Sequence, residues 1–259
     1  MEFNTIIFDV KDNVAWIRFN RPKKLNAMNM EVIGEINKAL IACENDPKIK
    51  VVVLTGNEKA FIGGADIEPM STGDVNFALR LVEVTTEMQE RLADLSKPTI
   101  AGISGFCLGG GLEVALCADF RLAAENAVMG CPEITLGIIP GGGGTQRLPR
   151  LVGLAQATEL LMLGKNIKAD KALALGLVTQ VVPVDQLEAT VDNLAKKLAA
   201  IPGVAMKACK TAMRAGLNSG LKEGLRIEAT AFAMLFGTYD QKEGLTAFLE
   251  KRKPAYEDR

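Results

Sequence analysis

Two carboxylates stand almost alone in apolar, glycine-rich stretches of this 259-residue chain. Between Lys97 and Asp119 the only charged residue is Glu113, and between Glu125 and Arg147 the only one is Glu133. Their surroundings read Gly109-Gly110-Gly111-Leu112-Glu113 and Cys131-Pro132-Glu133-Ile134. An ionised carboxylate among apolar groups is costly to bury unless it is paired. Burial raises its pKa toward neutrality, where the group can trade protons. Two such groups predict a paired acid/base site.

Glycines supply the second half of the chemistry. Three segments carry them: residues 61–67 (Phe-Ile-Gly-Gly-Ala-Asp-Ile), residues 109–113, and residues 137–145, which end in Gly141-Gly142-Gly143-Gly144-Thr145. None has the lysine of a P-loop, and none matches the dinucleotide fingerprint, so nucleotide chemistry is disfavoured. An oxyanion hole fits better. Gly110 falls at the start of a helix that follows a strand, where its N–H is unpaired and strengthened by the helix dipole. A second N–H, from the Gly64-Ala65 loop, would converge on the same oxygen and stabilise an enolate or a tetrahedral oxyanion. Glu113 lies three residues after Gly110, so one short helix presents both amide and carboxylate.

Composition removes competing mechanisms. The chain has no histidine. Ser-His-Asp and Cys-His catalysis and His-based zinc sites are therefore excluded, and no metal site is predicted. The five cysteines (Cys43, Cys107, Cys117, Cys131, Cys209) are dispersed, with no C-x-x-C pair, as expected of reduced thiols in a cytoplasmic compartment. A formal net charge of -1 offers no attraction to nucleic acid or acidic membranes. Met1-Glu2-Phe3-Asn4 lacks the basic start of a secretory signal. Residues 98–118 are weakly charged but broken by Pro98, five glycines and Glu113, which predicts a buried strand and helix rather than a membrane span.

The elements that must position these groups alternate. Residues 5–10 and 14–19 read as strands about the polar turn Lys11-Asp12-Asn13. Asn29 caps a helix with Val32, Ile33, Ile36, Leu40 and Ile41 at helical spacing. Residues 50–55 form a β-branched strand buried on both faces. A loop over 56–69, a helix over 75–95, a strand over 99–103, a helix over 110–118 and strands over 119–123 and 178–182 follow. Beyond Pro183 the pattern is helical only, over 185–200, 205–215, 221–236 and 241–251. This is an α/β domain with a helical appendage, and no internal repeat is readable.

Six segments in order then resemble the crotonase (enoyl-CoA hydratase/isomerase) superfamily over essentially the whole chain. They are residues 20–27 (Asn-Arg-Pro-Lys-Lys-Leu-Asn-Ala), 61–67, 104–113, 131–137, 140–148, and 240–244 with 248–252. The closest likeness is to short-chain enoyl-CoA hydratases. The resemblance implies a spiral core of repeated ββα units over residues 1–183 holding the active site. It implies an α-helical trimerisation region over 184–259, and a homohexamer built as a dimer of trimers. It also implies an acyl-CoA thioester substrate with no further cofactor, coenzyme A being part of the substrate. Ala65 and Gly110 match the family's oxyanion hole, and Glu113 and Glu133 its paired catalytic glutamates. Relatives that isomerise, hydrolyse or decarboxylate commonly lack one glutamate, so both together imply hydration across C2=C3 of a 2-enoyl-CoA. Glu133 would deliver the C2 proton, Glu113 would hold and activate water, and the Gly141 amide would position that water. Lys24, Leu25 and Ala27 resemble the stretch lining the coenzyme A path, with Asp66 and Ile67 following it. Phe248 and Lys251 resemble residues that reach coenzyme A from a neighbouring subunit. Where many relatives carry a basic residue after Asp-Ile, this chain has Glu68-Pro69. Alternatives within the fold are hydration of a cyclic dienoyl-CoA or enoyl-CoA isomerisation; outside enzymology, a binding scaffold.

Overall fold

A computed structural model of the chain describes residues 2–259. Its strands are β1 (Ile6–Lys11), β2 (Val14–Phe19), β3 (Val51–Thr55), β4 (Ala60–Ile62), β5 (Thr99–Ile103), β6 (Phe106–Leu108), β7 (Phe120–Ala124), β8 (Val128–Gly130), β9 (Asn166–Lys168) and β10 (Gln180–Val182). Its helices are α1 (Met30–Asn45), α2 (Ile67–Met70), α3 (Val75–Asp94), α4 (Gly110–Cys117), α5 (Gly144–Val152), α6 (Leu154–Met162), α7 (Ala169–Ala174), α8 (Leu187–Ala199), α9 (Gly203–Leu217), α10 (Leu221–Leu235) and α11 (Tyr239–Glu250).

Two sheets build the core. The larger runs β1-β2-β3-β5-β7-β10, parallel except for the β1/β2 hairpin. The smaller runs β4-β6-β8-β9, parallel except for its β9 edge. The chain alternates between them: β3, β5 and β7 enter the large sheet, and each next strand, β4, β6 or β8, enters the small one before helical residues follow. That is the repeated ββα spiral expected from the family likeness.

Strand patterning explains the layers. In β3, Val52 and Leu54 join the core beneath α1, α3 and α4, while Val51 and Val53 face Leu187, Val191, Ala195 and Leu198 of α8. Both faces are dry, so the run Val-Val-Val-Leu shows no polar alternation. Helix α8 therefore shares its core with the sheet that precedes residue 183. Asn29 caps α1 as its position suggests, its side chain accepting from the Val32 N–H at 3.0 Å.

The small sheet departs from the sequence reading. Residues 56–69, expected as a loop, contain β4 and α2, and β6, β8 and β9 were not anticipated. Three-residue strands are too short to show a period of two; their pairing is decided by the partner strands. The strand expected over 119–123 runs from Phe120 to Ala124.

Candidate active site

Three neighbouring parallel strands deliver the site. Registers Ala60↔Phe106 and Leu108↔Gly130 align β4, β6 and β8, so their C-terminal ends emerge together. Ala65 follows β4 by three residues, Gly110 follows β6 by two, and Glu133 follows β8 by three. The carboxyl ends of parallel strands are where open α/β sheets bind ligands.

The two amides are freed by specific backbone pairings. Met28 forms a parallel bridge with Ala65, in which Met28 N–H donates to the Gly64 carbonyl at 2.9 Å and Asp66 N–H donates to the Met28 carbonyl at 2.7 Å. In that pattern the flanking groups are used, and the Ala65 N–H points away from Met28. Gly110 opens α4, so its N–H has no intrahelical acceptor. Among the described residues neither N–H meets a protein acceptor. A Cβ on Gly110 would lie 2.7 Å from Met28 Cε, so Met28 packs beside both Ala65 and Gly110. Gly109 makes the turn into α4 at φ +53° and donates to the Gly130 carbonyl at 2.8 Å. A side chain there would be strained and would strike Glu133 Oε1 at 2.8 Å.

The two carboxyls are held unequally. Glu113 is 4% exposed on the buried helix α4. Its Oε1 accepts from the Gly142 and Gly144 N–H groups, each at 2.8 Å, which leaves Oε2 for another partner. Burial raises its pKa, opposed by those two N–H groups and the Arg147 charge. Glu133, in the 3-10 turn Pro132–Leu136, has a buried Oε2 with no hydrogen-bond partner. Burial first, then the Glu113 charge, pushes its pKa up to about 7. A neutral-pH acid thus stands beside a carboxyl whose ionised form is better supported.

The outer residues from the sequence are placed variously. Residues 25–28 are stitched to 60–66: Gly63 N–H donates to the Leu25 carbonyl at 2.8 Å, and Asn26 Nδ2 donates to Ala60 O at 2.9 Å. Asp66 sits at the N-cap position of α2 without capping it; its carboxylate pairs with Arg21 at 3.0 Å. Lys24 is exposed and meets Glu68 at 3.3 Å. Leu25 and Ile67 are exposed, and Ala27 is half-buried. Phe248 is 80% exposed on α11, and Lys251 ends that helix in the left-handed conformation. The Gly141 N–H has no protein acceptor among the described residues, and Val82 of α3 flanks it, 3.3 Å from where a Cβ would stand.

Sequence reasoning missed four groups. Gly142 and Gly144, read only as part of a glycine run, bind Glu113. Arg147 donates through one Nη1 to the Gly142 carbonyl at 3.0 Å and to Gln89 Oε1 at 3.2 Å. Gln89 is 1% exposed, and its Nε2 has no acceptor. Its place at helical spacing from Thr85, Leu92 and Ala93, on the buried face of α3, was the one available signal.

The chain belongs to the enoyl-CoA hydratase/isomerase family, which matches residues 9–259. It is 42% identical over 254 residues to the short-chain-enoyl-CoA hydratase of Clostridium acetobutylicum, covering 98% of this chain and 97% of that one. It is 41% identical to the crotonyl-CoA hydratase of Syntrophomonas wolfei, covering 98% of each. Among solved structures it superposes on the enoyl-CoA hydratase of Bacillus anthracis with a TM-score of 0.95 at 39% identity, covering 99% of this chain and 100% of that one.

Proposed function

We propose that this chain is an enoyl-CoA hydratase acting on short-chain 2-enoyl-CoA thioesters. The observation that carries the reading is the pairing of a carboxyl near pKa 7 with a second, amide-supported carboxyl at the edge where two free N–H groups emerge. The Ala65 and Gly110 N–H groups donate to the thioester oxygen. Glu113 Oε2 and the Gly141 N–H hold water. As the water oxygen bonds to C3, its proton passes to Glu113, and the C2=C3 electron pair moves toward the thioester as an enolate. Protonated Glu133 then gives its proton to C2. One water is added, and the pair still holds one proton, now on Glu113. Each oxyanion donor contributes about 2.7–4 kcal/mol to the transition state.

No cofactor is needed, since coenzyme A arrives with the substrate. The free thiols, four buried and one exposed, suit a cytoplasmic location. No helix among the described residues is long and apolar enough to cross a membrane. The helices α9–α11 leave Leu217, Leu221, Met234, Phe248 and Leu249 more than two-thirds exposed. An apolar surface of that extent favours association of copies of this chain, read here as a hexamer of two trimers with Phe248 and Lys251 reaching a neighbour's coenzyme A. The pairing of Lys24 with Glu68 leaves that lysine a weaker contact for a substrate phosphate. The direct test is loss of the conjugated-thioester absorbance of crotonyl-CoA, with 3-hydroxybutyryl-CoA as product. An unchanged signal with full binding would reject hydration.

A further inference from the structure

We propose that Gln89 is a positioning residue of the hydration site, holding Glu113 so that one defined carboxyl oxygen faces the reacting water. The inference rests on the hydratase reading above. Gln89 belongs to α3, in the unit before the one that supplies Glu113. A continuous chain of hydrogen bonds joins the two. Arg147 Nη1 donates to Gln89 Oε1 at 3.2 Å and to the Gly142 carbonyl at 3.0 Å, and the Gly142 N–H donates to Glu113 Oε1 at 2.8 Å. Gln89 therefore anchors Arg147, Arg147 anchors the carbonyl side of Gly142, and the N–H on the other side of the same residue helps fix which Glu113 oxygen is occupied.

The other end of the amide borders the same space as the free oxygen. A Cβ on Gly142 would stand 2.5 Å from Gln89 Nε2 and 2.7 Å from Glu113 Oε2, so both atoms border one small space. Nε2 has no acceptor among the described residues, although the side chain is 99% buried by its 1% exposure. An unpaired buried donor lowers stability, and an apolar side chain of the same shape would not carry that cost. Its helix neighbours Met88 and Leu92 are fully buried in the apolar core, so packing alone would favour methionine or leucine at 89. A donor that borders the same space as Oε2 is available to that oxygen, or to a water held on it, where Gly142 and Gly144 engage only Oε1.

The test uses the full chain with Gln89→Met. Turnover of crotonyl-CoA should fall about 10- to 100-fold in kcat with KM within about twofold, as for a misplaced reacting group. The melting temperature should stay level or rise. In a Glu113→Gln background the same substitution should cost almost nothing further, because both act on one carboxyl. A residue with a packing role alone would lower the melting temperature and leave kcat per folded site unchanged, and that result would overturn the inference. If Gln89→Met fails to fold, Gln89→Glu keeps an oxygen for Arg147 but loses the donor, and it should show the same split between kcat and KM. Wild-type kcat in that variant would also overturn it. Absence of crotonyl-CoA turnover in the wild type would sink the hydratase reading, and this inference with it; wild-type turnover with unaltered Gln89 variants would sink this inference alone.

Discussion

Replacing Glu133 by glutamine should make the protein more stable at alkaline pH and nearly inactive. The folded carboxyl titrates at about 7 against an ordinary 4.5, because burial and then the Glu113 charge disfavour its ionised form. The folded state therefore binds this proton more tightly than the unfolded chain. Stability from this group is full below about pH 4.5 and declines as pH rises to about 7, remaining low above it. Each pKa unit corresponds to about 1.4 kcal/mol, which caps the penalty at about 3 kcal/mol. Glu133 is half open to solvent, and screening on that side brings the figure to about 1–2 kcal/mol. Glutamine is neutral throughout, so Glu133→Gln should melt higher than wild type at pH 8.5, with the gap closing toward pH 5. Hydration should fall by about 10²–10⁴-fold in kcat, the usual loss of a general acid. The measurements are thermal melts across pH at one fixed protein concentration, with crotonyl-CoA turnover alongside. A variant that hydrates at the wild-type rate, or a melting gap that does not change with pH, would refute the reasoning.

The pH profile offers a second check: hydration leaves the pair with the same single proton it began with, so forward and reverse kcat/KM should share one bell-shaped profile, each falling about tenfold per pH unit above about 7. Profiles that move in opposite directions would contradict the shared proton. Gly142→Ala places a Cβ 2.7 Å from Glu113 Oε2 and 2.5 Å from Gln89 Nε2; steady-state kinetics should show a kcat loss on the order of 100-fold in a folded protein. Far from the site, Glu35→Leu removes the acceptor for the Asn4 and Thr5 N–H groups and the Thr5 hydroxyl, and urea titration should find about 2–4 kcal/mol less stability with activity per folded site intact.

Much of the framework is legible because it is local. The hairpin β1/β2 turns through Asp12 and Asn13, both at positive φ, residue types that tolerate this conformation. Asn29 caps α1 by accepting from the N–H three residues on, and α3, α8 and α10 follow their apolar spacing to within about two residues. Asp66 shows the limit: its carboxylate partner, Arg21, is 45 residues away. The helices α5–α7 carry Pro149 and glycine boundaries that blur the period; packing of α5 on α4, of α6 on the 3-10 turn at 132–136 and of α7 on β8, β9 and β10 settles them.

By itself the amino-acid order marked the candidate groups: two carboxyls isolated from other charge, glycines where bare amides are expected, and no histidine to compete. Those facts depend on residue type and near neighbours, and any fold would inherit them. Only the tertiary structure decided how unlike the two glutamates are. Glu113 owes its bound oxygen to Gly142 and Gly144, some thirty residues on, whereas Glu133 keeps a buried oxygen with no partner. The acid and base roles proposed for the pair rest on desolvation and on amides brought close by the fold, and neither quantity exists until the spiral has closed.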